Sequence, residues 1–125
     1  MSIVTTDPCH DLTSLELLQG LSPEAFEEAR AAARIRQLPR NMRVFNQGDT
    51  DVRAHALLQG SIRISQSGSD GAQVVVRFIT GGEMFGTVAL FTDHRYPADA
   101  DTLSDSVEVS WSEASLATLM SRHSA

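Results

Sequence analysis

Hydrophobic and polar residues alternate in short runs through the middle of the chain. Four such runs are separated by glycine-containing turns: Met42–Phe45, Ala54–Leu58, Ser61–Gln66 and Gln73–Ile79. The alternation of Ile62 and Ile64 with polar neighbours is the period-two pattern of a half-buried strand. Asp70 and Gly71 predict a tight turn between the third and fourth runs, which would therefore pair as a hairpin.

Helical patterns lie on both sides of this strand-rich region. Leucines at near-helical spacing between Leu12 and Leu18 end at Gly20, a typical C-terminal stop. Ser22 followed by proline is a strong helix start, and this helix is predicted to run to about Arg34. The last helix is predicted to follow Ser112, with three apolar residues on one face: Leu116, Leu119 and Met120.

The remaining apolar segments extend the strand pattern. Two more strands are predicted at Ala98–Thr102 and Val107–Trp111, with Trp111 in the core. Many short strands separated by turns at roughly 8–12 residues indicate a closed or sandwiched antiparallel β-structure. We therefore predict one mainly β domain with flanking helices over residues 12–125, preceded by a flexible N-terminus at residues 1–11.

Composition narrows the class of protein. A chain of 125 residues with 42% hydrophobic and 21% charged residues suits one soluble domain. A net charge of −6 does not fit a nucleic-acid-binding surface. The first ten residues lack the pattern of a secretory signal, and no apolar run approaches the roughly 20 residues that span a membrane. The lone Cys9 excludes an internal disulfide, so a cytoplasmic protein is expected.

The segment from Gly81 to Ala100 is the strongest candidate for binding chemistry. Three of its first six residues are glycines, and a short apolar run and a polar loop with His94 and Arg95 follow them. Glycines let backbone N–H groups approach a ligand, and a helical turn that begins after Gly86 offers free N–H groups to an anion. Two interpretations remain open from the residues alone: a turn between strands, or a cradle for a small ligand.

Several segments together resemble a known superfamily. They are F-N-Q-G-D (Phe45–Asp49), A-L-L-Q-G-S-I-R-I (Ala56–Ile64), G-G-E-M-F-G (Gly81–Gly86) and the V-A-L-F that follows. These resemble the cyclic-nucleotide-binding domains, and most closely the effector domains of Crp/Fnr-type transcription regulators, over about residues 15–122. The resemblance implies a jelly-roll β-barrel (double-stranded β-helix) with a short helical cassette after Gly86.

The resemblance also implies partners and organisation. Regulators of this type bind a small-molecule effector, form homodimers and contact DNA through a helix-turn-helix domain. That domain is absent from these 125 residues, so we expect a sensor fragment or a stand-alone module rather than a DNA-binding chain. No membrane partner and no enzymatic activity are expected, because no catalytic grouping of Ser, His, Cys and Asp stands at a recognisable spacing.

The chain departs from the nucleotide-binding pattern at its two charged contacts. Family members that bind cyclic AMP carry Phe-Gly-Glu and, about nine residues later, an arginine for the cyclic phosphate. Here Thr87 replaces the acid, and the arginine position falls on Tyr96 beside Pro97, which has no N–H to donate. Arg95 lies one place early. Cyclic AMP is therefore not expected as the effector. The alternatives are cyclic-nucleotide binding through a shifted Arg95, or a degenerate pocket.

The ligand pocket is nevertheless predicted to lie at the cassette. Its candidate residues are Gly82, Phe85, Gly86, Thr87, Val88, Ala89, Leu90, Arg95, Tyr96, Pro97 and Ala98. The form Tyr-Pro-Ala-x-Ala resembles regulators that answer to redox state or diatomic gases, some of which bind haem and others an iron–sulfur cluster. One cysteine does not support a cluster, and no cofactor is certain.

Haem remains a candidate cofactor, and it needs an axial ligand. The available side chains are Cys9, His10, His55 and His94, with His10 and His55 as the weak candidates. His55 is otherwise interpreted as a surface or rim histidine with a hydrogen-bonded ring. No resident metal site is expected, because the histidines lack the His-x-His spacing of a metal-dependent cupin enzyme. Two acidic residues of the strand near Ala100 are predicted to face solvent: Asp99 and Asp101.

Overall fold

The computed structural model describes residues 3–5, 15 and 18–122, and in these residues nine strands form two antiparallel sheets. The strands are β1 (Ile3–Thr5), β2 (Arg34–Leu38), β3 (Arg43–Phe45), β4 (Arg53–Gln59), β5 (Ser61–Ser67), β6 (Gln73–Thr80), β7 (Met84–Phe85), β8 (Asp99–Thr102) and β9 (Ser106–Ser112). The first sheet has the order β1-β2-β9-β4-β7 and the second the order β3-β8-β5-β6. This confirms the predicted jelly-roll architecture.

Two α-helices and one 3-10 helix accompany the sheets. They are α1 (Pro23–Ala32), α2 (Glu113–Arg122) and a 3-10 helix at Thr87–Phe91. Ser22 caps α1 as predicted, because its Oγ accepts a hydrogen bond from the N–H of Ala25 at 3.1 Å. The Oγ of Ser112 caps α2 in the same way, 3.1 Å from the N–H of Ser115. No helix of the described residues is long and apolar enough to cross a membrane.

The first sheet has two buried faces, and this arrangement positions the site. On one face Val107, Val109 and Trp111 of β9 pack towards α1, where the indole N–H of Trp111 donates to the carbonyl of Ala29 at 2.7 Å. On the other face lies the interior between the sheets, where residues of β4, β5 and β7 form the second core cluster. The alternate residues of β9 therefore enter a closed interior and not solvent.

The six predicted strands are confirmed, and each of their bounds differs from the prediction by at most one residue. Helix α1 ends at Ala32, two residues before the predicted Arg34, because Arg34 already pairs with β9 as the first residue of β2. Strands β1, β2 and β7 were not predicted. Ile3–Thr5 lies in the stretch predicted to be flexible, yet it pairs with β2. Most of the predicted helix at residues 12–18 lies outside the described residues.

Two apolar segments are more exposed than their pattern indicates. Met120 is 58% exposed, whereas Leu116 and Leu119 are half-buried, because successive helical residues point about 100° apart and only the latter two face the core. Strand β6 pairs with β5 as the predicted hairpin, but β6 ends the second sheet and four of its apolar side chains are exposed. These are Val74, Val75, Val76 and Phe78.

Candidate functional site

The cassette begins at a glycine that no other residue could replace without strain. Gly86 follows β7, has a φ of +74° and precedes the 3-10 helix. A Cβ atom at this position would lie 3.0 Å from Cδ2 of His55 and 3.1 Å from ring carbons of Phe45 and Tyr96. Both the left-handed backbone and the close approach of these rings therefore require glycine.

Four rings fill the interior beneath Gly86, and we call them the ring layer: Phe45, His55, Phe85 and Tyr96. The rings of Phe45 and Tyr96 stack with centroids 3.7 Å apart and planes 7° apart. His55 lies 5.1 Å from Phe85 because strand pairing places these two residues opposite each other. All four side chains are buried, so the layer is part of the core as well as the floor of the cassette.

A chain of hydrogen bonds runs from the ring layer to β2. The hydroxyl of Tyr96 lies 2.7 Å from Nε2 of His55, and Nδ1 of His55 lies 2.8 Å from Oε2 of Glu108. The other carboxylate oxygen of Glu108 accepts from Nε and Nη2 of Arg36 at 2.9 and 2.7 Å. The backbone N–H of Arg53 donates to the Tyr96 hydroxyl at 2.9 Å.

One tautomer of His55 satisfies every member of this chain. A proton on Nδ1 donates to the Glu108 carboxylate, and the bare Nε2 accepts from the Tyr96 hydroxyl. The Tyr96 oxygen then accepts from the Arg53 N–H. This neutral tautomer is assigned from the hydrogen-bond network. It leaves no ring nitrogen free, so the network holds the ring of Tyr96 in place.

The charges of the network suit its burial. Glu108 is fully buried, and burial raises its pKa, but the hydrogen bond from His55 and the guanidinium of Arg36 outweigh burial and lower the pKa below its usual value. The carboxylate therefore remains ionised in the interior. Burial is also the main cause that raises the pKa of Tyr96, whose phenol stays protonated and able to donate.

The structure brings four of the predicted pocket residues, Phe85, Ala89, Leu90 and Tyr96, into one core cluster, and Gly86 lies against its rings. Of all the predicted pocket residues, five are buried (Phe85, Ala89, Leu90, Tyr96 and Ala98), three are half-buried (Gly82, Gly86 and Thr87), and Val88 lies in the 3-10 helix. Arg95 and Pro97 are exposed. An exposed Arg95 offers no support for the alternative in which a shifted arginine neutralises a phosphate inside the barrel.

One histidine, His55, is placed differently from its sequence interpretation. His55 is 3% exposed, so its interpretation as a surface or rim residue is wrong: it shares the phase of Leu57 on β4 and faces the interior. Because both ring nitrogens are hydrogen-bonded, His55 does not fit as an axial haem ligand without loss of Glu108 or Tyr96. His94 is exposed and lies 2.7 Å from Glu113. Cys9 and His10 lie outside the described residues.

Three charged members of the site were missed in the sequence. They are Glu108 on β9, Arg36 on β2 and Arg53 on β4. In the sequence, a charged residue at an alternate position of a strand resembles one that faces solvent. A signal was available in β9, where an acid stands in an otherwise uncharged apolar and serine run. Among the described residues no group of three or more His, Cys, Asp or Glu side chains could hold a metal ion.

The acids of β8 also depart from their prediction. Asp99 is 8% exposed and not solvent-facing, because its carboxylate accepts from the N–H of Gln47 at 2.7 Å. Asp101 is half-buried beside Arg43 and Arg63. Both acids therefore anchor the loop and strand that carry Phe45 into the ring layer.

Comparisons with known proteins agree with this architecture. A sequence profile described as the cyclic nucleotide-binding domain matches residues 35–123. A search of curated proteins found no match. The structure is similar to the catabolite activator protein of Thermus thermophilus, with a TM-score of 0.77 and 24% identity over 85% of this chain and 50% of that protein. This chain thus spans about half the length of that relative.

Two further structures resemble the fold at lower identity. The sensor domain of the transcriptional regulator DNR from Pseudomonas aeruginosa has a TM-score of 0.80 and 22% identity, over 90% of this chain and 75% of that one. The regulatory subunit of a cAMP-independent protein kinase A from Trypanosoma brucei has a TM-score of 0.81 and 17% identity, over 88% and 40%. At these identities the likeness shows the fold alone.

Proposed function

The chain belongs to the cyclic nucleotide-binding domain family, and from this premise we propose that it is the effector-sensing domain of a Crp/Fnr-type transcription regulator whose effector is not a cyclic nucleotide. One observation carries the proposal. Tyr96, at the position where the family resemblance places the phosphate-binding arginine, is 3% exposed and hydrogen-bonded to His55 beneath Gly86. A neutral phenol thus occupies the place of the positive charge.

The energetic argument follows from the two replaced contacts. A charge-assisted hydrogen bond contributes about 1.5–3 kcal/mol, and a buried phosphate left unpaired costs more. Thr87 in place of the acid and Tyr96 in place of the arginine remove two such contacts. Together they reduce the affinity for a cyclic nucleotide by about two to four powers of ten.

The contacts of the cassette loop support a sensing role. His94, in the loop after the 3-10 helix, contacts Glu113 in the first turn of α2 at 2.7 Å, and Leu116 of α2 packs against the interior core. A ligand that moves the cassette would therefore bias the orientation of α2. In the intact regulator this bias would shift the population of the DNA-binding state.

Two other functions receive less support. Cyclic-nucleotide binding through Arg95 would require this exposed side chain to turn inward. An enzymatic role would require a reactive group. Both ring nitrogens of His55 are already hydrogen-bonded, to Glu108 and Tyr96. The raised pKa of Tyr96 keeps its phenol protonated. We therefore assign the network to holding the ring layer and propose a non-enzymatic, cytoplasmic binding domain.

A DNA-binding assay tests whether this chain is the sensing part of a regulator and not its DNA-binding part. We expect the 125 residues to leave the mobility of a 30-base-pair duplex unchanged in about 50 mM salt, because a net charge of −6 is repelled by phosphates. The measurement is an electrophoretic shift at micromolar protein. A shift that salt abolishes would show a basic contact surface and would overturn the assignment.

A further inference from the structure

A pocket lies beside the ring layer and is lined by residues of β2 and β4 in the first sheet. Its volume is about 450 Å³, within the range of small-molecule sites. Phe45, His55 and Tyr96 form one wall of the pocket, and the loop of residues 49–51 lies at its rim. The same three rings contact Gly86, so the ring layer stands between the cassette glycine and this pocket. The remaining lining residues include three arginines: Arg34, Arg36 and Arg53.

Strand register brings these arginines to one face of the first sheet. Arg34 and Arg36 are two residues apart on β2, so their side chains share a face. Strand β9 separates β2 from β4, and its residues on that face accept hydrogen bonds from both sides. Glu108 accepts from Arg36, and Ser110 accepts from Nε of Arg53 at 2.9 Å. The guanidinium groups therefore converge over β9.

Two of the three arginines that line the pocket, Arg34 and Arg53, form no ion pair with the surrounding carboxylates among the described residues, whereas Arg36 pairs with Glu108. The single buried carboxylate that Arg36 contacts is shared with His55. The guanidinium of Arg53 contacts only neutral groups among its hydrogen-bond partners, the hydroxyl and carbonyl oxygens of Ser110. The Nε atom of Arg34 is buried and has no hydrogen-bond partner among the described residues. A buried donor without a partner is costly, and an anion would supply one.

The pKa of Arg34 also indicates that the neighbouring arginines affect this side chain more than the nearby acids do. Burial, followed by the charges of Arg53 and Arg36, lowers the pKa of Arg34, and the opposing effects of Glu108 and Asp51 are smaller than those of the two arginines. Asp51 is exposed at the rim, and Asp49 there accepts from the N–H of Asn46. The charge of Asp51 partly offsets the positive charge at Arg34, but neither rim acid forms an ion pair with Arg34 or Arg53 among the described residues.

We infer that the arginine pocket binds a small organic carboxylate, with its charged group on Arg34 and Arg53 and its carbon body against Phe45 and Tyr96. Arginine forks match carboxylates with two parallel hydrogen bonds. The ring wall gives the carbon body an apolar contact that an inorganic ion would not use. The inference extends the proposed function, since it names an effector class and a place outside the cassette, but the binding itself does not depend on any regulator.

Calorimetric titration of the 125-residue chain in low-salt, phosphate-free buffer tests the inference, with succinate as the probe and succinamide as its neutral isostere. We expect saturable binding of succinate, no binding of succinamide, and weaker binding of inorganic phosphate. Arg34→Gln should weaken succinate binding by about 10- to 100-fold. Arg40→Gln, an exposed arginine outside the pocket, should leave it unchanged.

Each other outcome overturns the inference in a distinct way. If succinate does not bind, the pocket is not a carboxylate site. If succinamide binds equally well, charge does not contribute to binding. If phosphate binds more tightly, the ligand class is a phosphate and not a carboxylate. Equal effects of Arg34→Gln and Arg40→Gln would place the contact elsewhere. If Arg34→Gln does not fold, the comparison of succinate with succinamide on the native chain still tests whether binding depends on the carboxylate charge. None of these results bears on cyclic-nucleotide or DNA binding, so the two proposals fail separately.

Discussion

Replacing Glu108 with alanine is expected to lower the free energy of unfolding by about 3–5 kcal/mol. Glu108 is fully buried and accepts hydrogen bonds from His55 and Arg36. Its loss leaves a guanidinium and an imidazole N–H without their partner in a low-dielectric interior, which costs far more than the net contribution of an ordinary hydrogen bond. Urea denaturation followed by circular dichroism measures the change.

The chain offers a matched control for this effect. Glu113 contacts His94 at 2.7 Å, almost the distance of the Glu108–His55 pair, but both side chains are about half exposed. Glu113→Ala should therefore cost no more than about 1 kcal/mol. Equal losses for the two variants would show that burial of the network does not determine its contribution.

The same carboxylate gives a pH signature. Because its pKa in the folded chain lies below the ordinary value of 4.5, Glu108 contributes stability above that pH, and this contribution is lost as the pH falls through the folded-state pKa. Glu108→Gln removes the titrating group. Its free energy of unfolding should consequently fall less steeply than that of the native chain between about pH 5 and pH 2.

The Gly86→Ala variant is expected to lose about 2–5 kcal/mol of stability, the second largest effect. Part of the loss, about 1–2 kcal/mol, comes from a left-handed backbone at φ +74° that disfavours alanine. The rest, about 1–3 kcal/mol, comes from overpacking, since the new Cβ would approach His55, Phe45 and Tyr96 within 3.1 Å. Thermal unfolding of the variant measures the sum.

Gly71 separates the two contributions. It has a φ of +82°, close to that of Gly86, but a Cβ atom added at Gly71 would meet no heavy atom within 4 Å outside its chain neighbours. Gly71→Ala should therefore show the backbone cost alone, about 1–2 kcal/mol. If Gly86→Ala were no more destabilising than Gly71→Ala, the close packing of the ring layer under the cassette would be contradicted.

Much of the fold was predictable because the alternation rule is local. Ile62 and Ile64 on β5, and the turn at Asp70 and Gly71, mark a hairpin whatever lies elsewhere in the chain. Strand β2 was missed because Arg34–Leu38 carries charges on the face that enters the interior. Its identity as a strand depends on pairing with β9, some 70 residues away, which no local window contains.

The backbone of the cassette was predictable from the sequence, but the hydrogen-bond partners of Tyr96 were not. The glycine and the short helix of the cassette stand where the motif places them, since both follow from backbone conformation at Gly86. The partners of Tyr96 come from β4 and β9, and the phase of Glu108 resembles a solvent face until both faces of β9 are known to be covered. Burial of a polar phase is a tertiary property.

The central claim is that this cassette has the glycine and short helix of a nucleotide site but lacks its two charged contacts. Calorimetric titration with cyclic AMP tests this claim most directly. The predicted result is no saturable heat up to millimolar cyclic AMP, because Tyr96 and Thr87 supply neither the positive charge nor the carboxylate. Micromolar binding that disappears in the Arg95→Ala variant would contradict it and would show that Arg95 turns into the barrel.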